Sequence, residues 1–213
     1  MSTTIVEPVN VQTSHVSINR NEVIAALRQR NIPFEDWGKV EASKPLDKLI
    51  ESLEKGEIKW DYNNPLDSTL HITAAVIHIC HSVDDIEYEL RERHRDFKNG
   101  YRDYRREWDG SISEKIGTGE TERGIAMWGL AKKLGQSEPE FTDPNNYSLL
   151  KLRNEKKEPR PTKSYPPLEV IYDCRIFRCC IVQEKIFRAE YVFVDPLKTT
   201  YFGWLKLMNN CKI

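Results

Sequence analysis

The residues best suited to binding an anion lie between positions 117 and 133 of this 213-residue chain. The loop Gly117-Thr118-Gly119 can present backbone N–H groups, and it precedes a helix whose N-terminus carries partial positive charge. Lys132 and Lys133 come late in the same helix. These groups together predict a site for the phosphates of a nucleotide or another diphosphate-containing ligand. Trp128 either stacks on the base of that ligand or packs against a sheet.

The same positions also have purely structural interpretations. Gly117 and Gly119 can serve only to permit a tight loop. Lysines in the last turn of a helix are favoured by the helix dipole, as is Glu120 near its first turn. The residue types alone leave both interpretations open.

Two groups of cysteine and histidine residues contain side chains that can bind zinc. His78, Cys80 and His81 fall on a predicted strand, where alternation directs His81 to the face opposite the other two. The cysteines of a later predicted strand lack the C-x-x-C spacing of a zinc site and fit small hydrophobic strand residues instead. These are Cys174, Cys179 and Cys180. The sequence therefore predicts no metal site.

Aromatic and basic residues alternate between positions 101 and 106, an arrangement that can bind single-stranded nucleic acid. They are Tyr101, Arg102, Tyr104, Arg105 and Arg106. Neighbouring acids neutralise most of this charge, and the whole chain has a formal net charge of −1. This balance argues against nucleic acid as a partner. His94, which lies among arginines, is predicted to be solvated.

Three helices are predicted to support these residues. Asn19 begins the first, and Glu22 completes a capping box. Ser43 is the predicted N-cap of the second, whose apolar residues recur with helical spacing until Gly56 ends it. The third carries the lysines and ends at Gly135.

Strands are predicted for residues 70–79, 168–182, 189–194 and 199–204. Lys98-Asn99-Gly100 indicates the turn of a hairpin, although a highly charged helix is an alternative for the stretch before it. Residues 151–163, rich in bases and prolines, are predicted to form an exposed loop. The order of helices, strands, loop-helix and strands indicates an α+β or layered αβα fold rather than alternating βαβ units.

Composition narrows the class of protein. Hydrophobic residues make up 39% of the chain, which is enough for a core. No apolar run approaches the roughly 18 residues that span a bilayer, and the N-terminal residues lack the apolar centre of a signal peptide. The five cysteines, an odd number, indicate reduced thiols. We expect a cytoplasmic protein without membrane contact.

The run from Gly110 to Glu120, followed by a helix ending at Leu134-Gly135, resembles the loop and helix of the Nudix superfamily. That family's box reads G-x5-E-x7-R-E-U-x-E-E-x-G-U, where U is a bulky apolar residue. Segments 31–39, 54–57 and 199–204 look like an uncharacterised, bacterial-type Nudix-like family. The resemblance implies a flexible tail (1–18), a helical segment (19–57) and a Nudix-like αβα domain with a mixed sheet (58–207).

The box is degenerate in this chain. Glu120 matches its first glutamate and Glu114 falls at its first glycine, but the later carboxylates are replaced by Gly129, Lys132 and Lys133. In the family those carboxylates hold Mg²⁺ or Mn²⁺ while a metal-bound water attacks a pyrophosphate. Because a divalent cation needs anionic oxygen ligands, the resemblance implies a lost metal site.

Three functions follow as hypotheses. The first is a pseudoenzyme that binds a nucleotide, another diphosphate-containing ligand or a protein partner without a cofactor and without hydrolysis. The second is an active diphosphate hydrolase that recruits Glu114, Glu120 and Glu190 and needs Mg²⁺ or Mn²⁺. The third is a structural or interaction protein that keeps only the fold.

Overall fold

The structure is a computed structural model that describes residues 17–39, 43–98, 100–104, 111–135, 143–182 and 190–207. Within these residues the chain has three α-helices and a nine-stranded sheet, which confirms the α+β class. Gly110, Arg105, Arg106 and most of the tail lie outside the described residues. No described helix combines the length and the apolar character needed to cross a membrane.

The chain divides into two compact units. The first contains the described residues up to His71 together with Gly117–Thr121 and Arg160–Val170. The second contains the described residues of 72–116, 122–159 and 171–207. The predicted boundaries at residues 18 and 57 are not tested by this division and stay a prediction.

The first unit holds two helices, α1 (Arg20–Gln29) and α2 (Leu46–Glu54). The side chain of Asn19 accepts a hydrogen bond from the Asn21 N–H, so the predicted start of α1 is confirmed. Ser43 is not the N-cap of α2, because Pro45 holds that position and the Ser43 hydroxyl accepts the Gly38 N–H instead. Gly56 has a φ of 64°, a conformation that suits glycine and ends the helix as predicted.

The second unit holds α3 (Glu122–Leu134), which covers the predicted third helix. Its buried residues recur at helical spacing: Ile125, Ala126, Gly129, Leu130 and Leu134. All but Gly129 pack in one core cluster with alternate residues of the sheet, among them Ala75, Ile77 and Ile79. This apolar contact fixes α3 on one face of the sheet.

The sheet is built from strands of unequal length. They are β1 (Thr69–Val83), β2 (Ile86–Phe97), β3 (Arg102–Tyr104), β4 (Ile112–Lys115), β5 (Tyr147–Lys156), β6 (Arg160–Pro161), β7 (Glu169–Ile181), β8 (Glu190–Val194) and β9 (Lys198–Lys206). The strand order is β5-β7-β1-β2-β9-β8, with β3 paired to β2, β4 to β1 and β6 to β7.

Two hairpins organise the centre of the sheet. Asp84 and Asp85 both have positive φ and turn β1 into β2, the backbone that a tight two-residue hairpin requires. The sequence analysis missed this turn. The predicted hairpin after Phe97 is confirmed, because β2 pairs antiparallel with β3. The alternative of a charged helix before residue 99 is therefore wrong.

The predicted loop at 151–163 is also wrong over most of its length. Residues 147–156 form β5, which pairs antiparallel with β7, and Arg160–Pro161 form β6. Tyr147 and Leu149 are buried while the residues after them are mostly charged and exposed. Charged side chains suit an edge strand, where they discourage pairing with other chains. High charge was therefore mistaken for absence of structure.

Strand β1 changes partner half-way along its length. Residues 79–83 pair with β2, whereas residues 74–77 pair with β4. The buried Ser111 joins the two arrangements: its hydroxyl accepts the Ile79 N–H at 3.0 Å and donates to the Leu90 carbonyl. As a result β4 and the far half of β2 both contribute side chains beside α3, where the candidate site lies.

Candidate functional site

Glu114 and Lys133 form the centre of the site. The Lys133 ammonium lies 2.9 Å from the Glu114 carboxylate and also donates to the Ser113 carbonyl at 3.0 Å. Only 14% of the Glu114 side chain and 18% of the Lys133 side chain are exposed. Lys132 is farther from Glu114, at 4.0 Å, and is 41% exposed. The carboxylate predicted to be catalytic is thus neutralised by a lysine predicted to bind ligand.

Gly129 makes this arrangement possible. It is buried in α3, and a Cβ at this position would lie 2.8 Å from Cγ of Glu114. That distance is too short for two carbon atoms, so any larger residue would displace the Glu114 side chain. A glutamate, which the Nudix box has here, does not fit this packing.

Trp128 and Lys132 form an exposed pair one turn apart on α3. The Lys132 ammonium lies 4.2 Å from the Trp128 ring centroid, a cation–π contact, and Trp128 is 50% exposed. The indole therefore presents surface to solvent rather than packing wholly against the sheet. Surface of this kind can stack on a planar ring such as a nucleobase.

The residues of the predicted loop, Gly117, Thr118 and Gly119, belong to the first compact unit. Within that unit the Glu120 carboxylate accepts the Gly117 N–H at 2.5 Å. Thr118 donates its N–H to the Lys55 carbonyl, and Gly119 has a φ of 82°. The Gly117 N–H thus has an acceptor already, and the glycine conformation at Gly119 serves the turn.

A second ion pair, which the sequence analysis missed, lies on β2. Arg95 contacts both carboxylate oxygens of Glu92, at 2.5 Å and 2.7 Å. The pairing between β2 and β9 shifts register between Glu92 and His94, which marks a β-bulge. Glu92 is opposite Phe202, a core residue, and Arg95 is opposite the buried Thr200. Opposed residues share a face of the sheet, so this pair lies on the α3 side.

Lys198 on β9 is another charged residue of this face. It is opposite Phe97, and its ammonium lies 5.9 Å from the Phe97 ring centroid. Burial lowers the pKa of Lys198 to about 8; the Arg95 guanidinium lowers it as well, whereas Asp195 and Glu92 act in the opposite direction. Within the described part of the chain, no carboxylate lies within ion-pair distance of this ammonium.

We refer to Glu92, Arg95, Glu114, Lys133 and Lys198 as the ionic cluster. Four elements of the second unit supply it: β2, β4, α3 and β9. Each of its two carboxylates is paired with a cation. Lys198 is half-buried, and Asp103 of β3 lies opposite Arg95 on the same face of the sheet.

The other predicted candidates have structural roles. Nδ1 of His78 is 2.7 Å from the fully buried Glu89, and the His81 ring lies 6.2 Å from that of Trp204. Cys80 is buried, which raises the pKa of its thiol to about 12. In the described ranges no three His, Cys, Asp or Glu side chains are grouped so that they could hold a metal ion.

The three cysteines of β7 are strand residues, as predicted. Cys174 and Cys179 are buried in apolar clusters and Cys180 is half-buried. His94, by contrast, is not solvated as predicted: it stacks on Tyr201 at 4.4 Å between ring centroids. The ring sits opposite Tyr201 on the next strand, which is why it stacks.

The aromatic and basic motif after residue 100 is partly neutralised. Arg102 contacts both carboxylate oxygens of Asp96 across the β2–β3 pair, at 2.5 Å and 2.7 Å. Its guanidinium also lies 6.0 Å from the ring of Tyr104. One of the three arginines of this motif is therefore already paired with a carboxylate.

Comparison with known proteins adds little. No family model and no curated protein matches the chain. Among solved structures, the crystal structure of C. elegans Ap4A hydrolase aligns with 52% of this chain and 69% of its own, with a TM-score of 0.32 and 8% sequence identity. A similarity this small does not establish a family.

Proposed function

We propose that this protein is a binding module that takes a phosphate-containing ligand, a nucleotide or a related diphosphate, on the α3 side of its sheet. Binding needs no metal ion, and the ligand is not hydrolysed. Lys132, Lys133 and Trp128 are the ligand-binding residues of this proposal. The observation that carries it is that Lys132, Lys133 and Trp128 lie together on α3, while the Glu114 carboxylate beside them is already neutralised by Lys133.

The charge distribution favours an anion over a cation. Both carboxylates of the cluster have a cation within 3 Å, so neither presents unbalanced negative charge. Lys132 adds a second positive charge at the edge, beside Lys133. In a site partly removed from water, these lysines attract a phosphate more strongly than they would at the surface.

The same contacts oppose the hydrolase alternative. Glu114 would have to give up Lys133 before it could hold Mg²⁺ or Mn²⁺, and Glu120 accepts the Gly117 N–H. Glu190, the third carboxylate of that alternative, lies exposed at the start of β8. A divalent cation competes poorly for a carboxylate that an ammonium already neutralises.

The exposed Trp128–Lys132 pair suits the remainder of a nucleotide. An indole with half its surface in water can stack on a base while the ammonium above it contacts a phosphate. Gly117 and Gly119, the other predicted ligand-binding residues, belong to the first unit and stay a prediction.

Thermal unfolding of the whole chain tests the proposal. The ligands are inorganic diphosphate, AMP, ADP, ATP and diadenosine tetraphosphate, each with Mg²⁺ and with EDTA. A ligand at 100 times its dissociation constant adds about 2.7 kcal/mol of stability, a shift that is easily measured. We expect the unfolding temperature to rise with phosphate number equally in both conditions.

Two variants sharpen this experiment. Trp128→Ala is expected to reduce the shift with ATP but not the shift with inorganic diphosphate, because only the former has a base to stack. Lys206→Met, at an exposed position on β9, is the matched control and is expected to change neither. Stabilisation that requires Mg²⁺ and is followed by release of products would contradict the proposal, as would no shift with any ligand.

A further inference from the structure

Glu114 on β4 lies between the two lysines of the proposed ligand site. Its Oε1 is 2.9 Å from the ammonium of Lys133, and its Oε2 is 4.0 Å from the ammonium of Lys132. The two carboxylate oxygens thus face different lysines, as two oxygens of one phosphate group would. Within the described ranges no second carboxylate lies within ion-pair distance of either lysine. Glu114 is therefore the anion with which a phosphate at this site has to compete.

We propose that Glu114 is an internal competitor that sets the specificity of the site. Its carboxylate occupies the place of a phosphate group, and a ligand contacts Lys132 and Lys133 only after displacing it. The inference rests on the proposed function and extends it by naming the residue that limits affinity for monophosphates.

The charges of the competing anions explain the selection. A carboxylate carries one negative charge and a phosphate monoester about 1.5 to 2 at pH 7, so exchanging one for the other gains little. A diphosphate brings a second phosphate group, which increases the attraction to the lysines without a second carboxylate to displace. The site therefore favours ligands with two or more phosphate groups over those with one.

The carboxylate of Glu114 is held in a way that permits this displacement. Its buried Oε1 accepts no hydrogen bond from the described residues, and the Lys133 ammonium donates to the Ser113 carbonyl instead. An anion held by charge alone is replaced at lower cost than one that accepts directed hydrogen bonds. Gly129, which packs against Cγ of Glu114, has no side chain to hold it. When Glu114 leaves, Lys133 keeps its bond to Ser113 and stays in position.

Isothermal titration of the whole chain with inorganic phosphate and with inorganic diphosphate, at pH 7 in EDTA and at constant ionic strength, tests the inference. Glu114→Gln removes the charge and keeps the shape of the side chain. We expect this variant to bind phosphate at least tenfold more tightly than the wild type does. Its gain for diphosphate should be smaller, so that the ratio of the two dissociation constants decreases. Glu190→Gln, at an exposed carboxylate on β8, is the matched control and should bind as the wild type does.

Thermal unfolding without ligand separates competition from a structural role. Glu114→Gln leaves Lys133 without its counter-charge, so it should unfold at the same temperature as the wild type or a lower one. A structural role would lower stability and affinity together, whereas competition raises affinity without raising stability. Glu114→Asp keeps the charge but withdraws the carboxylate by one methylene, and its affinity for phosphate should lie between those of the wild type and Glu114→Gln.

The outcomes distinguish this inference from the proposed function. If the wild type binds diphosphate and Glu114→Gln binds phosphate and diphosphate no more tightly, the inference is wrong and the proposed function stands. If neither protein binds either anion, the proposed function fails and the inference fails with it. If binding appears only when Mg²⁺ replaces EDTA and is lost in Glu114→Gln, the carboxylate holds a metal ion, and both are overturned.

Discussion

Two groups of lysines and glutamates in this chain have the same ingredients but different surroundings. On α2, Glu51 contacts Lys48 at 2.6 Å and Lys55 at 2.7 Å, and all three side chains are more than 40% exposed. In the ionic cluster the side chains of Glu92, Arg95, Glu114 and Lys133 are each less than 20% exposed.

The difference shows in the pKa values of the two groups. On α2 the two lysines lower the pKa of Glu51 to about 2, and water solvates the charge that remains. In the cluster burial lowers the pKa of Lys198 to about 8. The same kinds of charge therefore contribute differently to stability where water is largely excluded, and the following changes test that distinction.

The largest change in stability is expected from a substitution in the apolar contact between α3 and the sheet. Leu130 is fully buried between α3 and the sheet, so Leu130→Ala should lower the free energy of unfolding by about 2–5 kcal/mol. Urea unfolding followed by circular dichroism measures this. Trp128→Ala, two residues away on α3 and half exposed, is the control and should cost clearly less. Equal costs would show that α3 is not held by its apolar face.

Lys198→Met should have an effect that depends on pH. The folded-state pKa of Lys198 is about 8 against 10.5 for a free lysine, so between these values the unfolded chain binds more protons and wild-type stability rises with pH. At about 1.4 kcal/mol per pKa unit, the variant should be more stable than the wild type by up to about 3 kcal/mol at pH 7. The difference should vanish by about pH 10.5.

Urea unfolding of both proteins from pH 7 to 10.5 gives this comparison directly. Taking the difference between the two proteins removes the contribution of the other titrating groups, which they share. A variant that is less stable than the wild type at every pH would contradict the claim that the charge of Lys198 is poorly compensated.

Lys133→Met should have a smaller effect of the opposite sign. It leaves the Glu114 carboxylate, one of whose oxygens is buried and accepts no hydrogen bond from the described residues, with only the more distant Lys132. We expect a loss of about 1–3 kcal/mol in urea unfolding. The double variant Lys133→Met/Glu114→Met should recover part of this loss, because it removes the unpaired charge as well. No recovery would show that the two side chains contribute separately.

The local elements of this fold could largely be predicted from sequence. Asn19 and Gly56 mark the ends of helices through their own conformational preferences, and both predictions are confirmed. The strand over 151–156 was missed, because an edge strand needs few apolar residues and its pairing with β7 is not encoded locally. The turn at Asp84-Asp85 was missed as well, because aspartate takes up positive φ less often than glycine does.

The residues of the candidate site could likewise be predicted only where they are close together in the sequence. Lys132, Lys133 and Trp128 were found because they are close together in the sequence. Lys198 and Arg95 were not, because no local pattern brings β2, β9 and α3 together. One feature of the sequence could have indicated them: Lys198 and Arg95 alternate with residues that face the apolar core, and charged residues are uncommon at such positions. On β2 the bulge between Glu92 and His94 shifts the alternation by one residue, so the pattern is not visible in the sequence.

The smallest change in stability is expected for the exposed group of charges on α2. Glu51→Gln removes a carboxylate that contacts two lysines, yet exposed pairs of this kind contribute less than about 1 kcal/mol. Because the folded-state pKa of Glu51 is lowered, its contribution is present above about pH 4.5 and is lost as the pH falls through about 2. At 1 M salt the cost of Glu51→Gln should disappear, whereas that of Lys133→Met should persist, since buried charges are screened much less. Equal salt dependence in urea unfolding of the two variants would mean that water reaches both groups alike. That result would contradict the proposal that the ionic cluster is part of a ligand site.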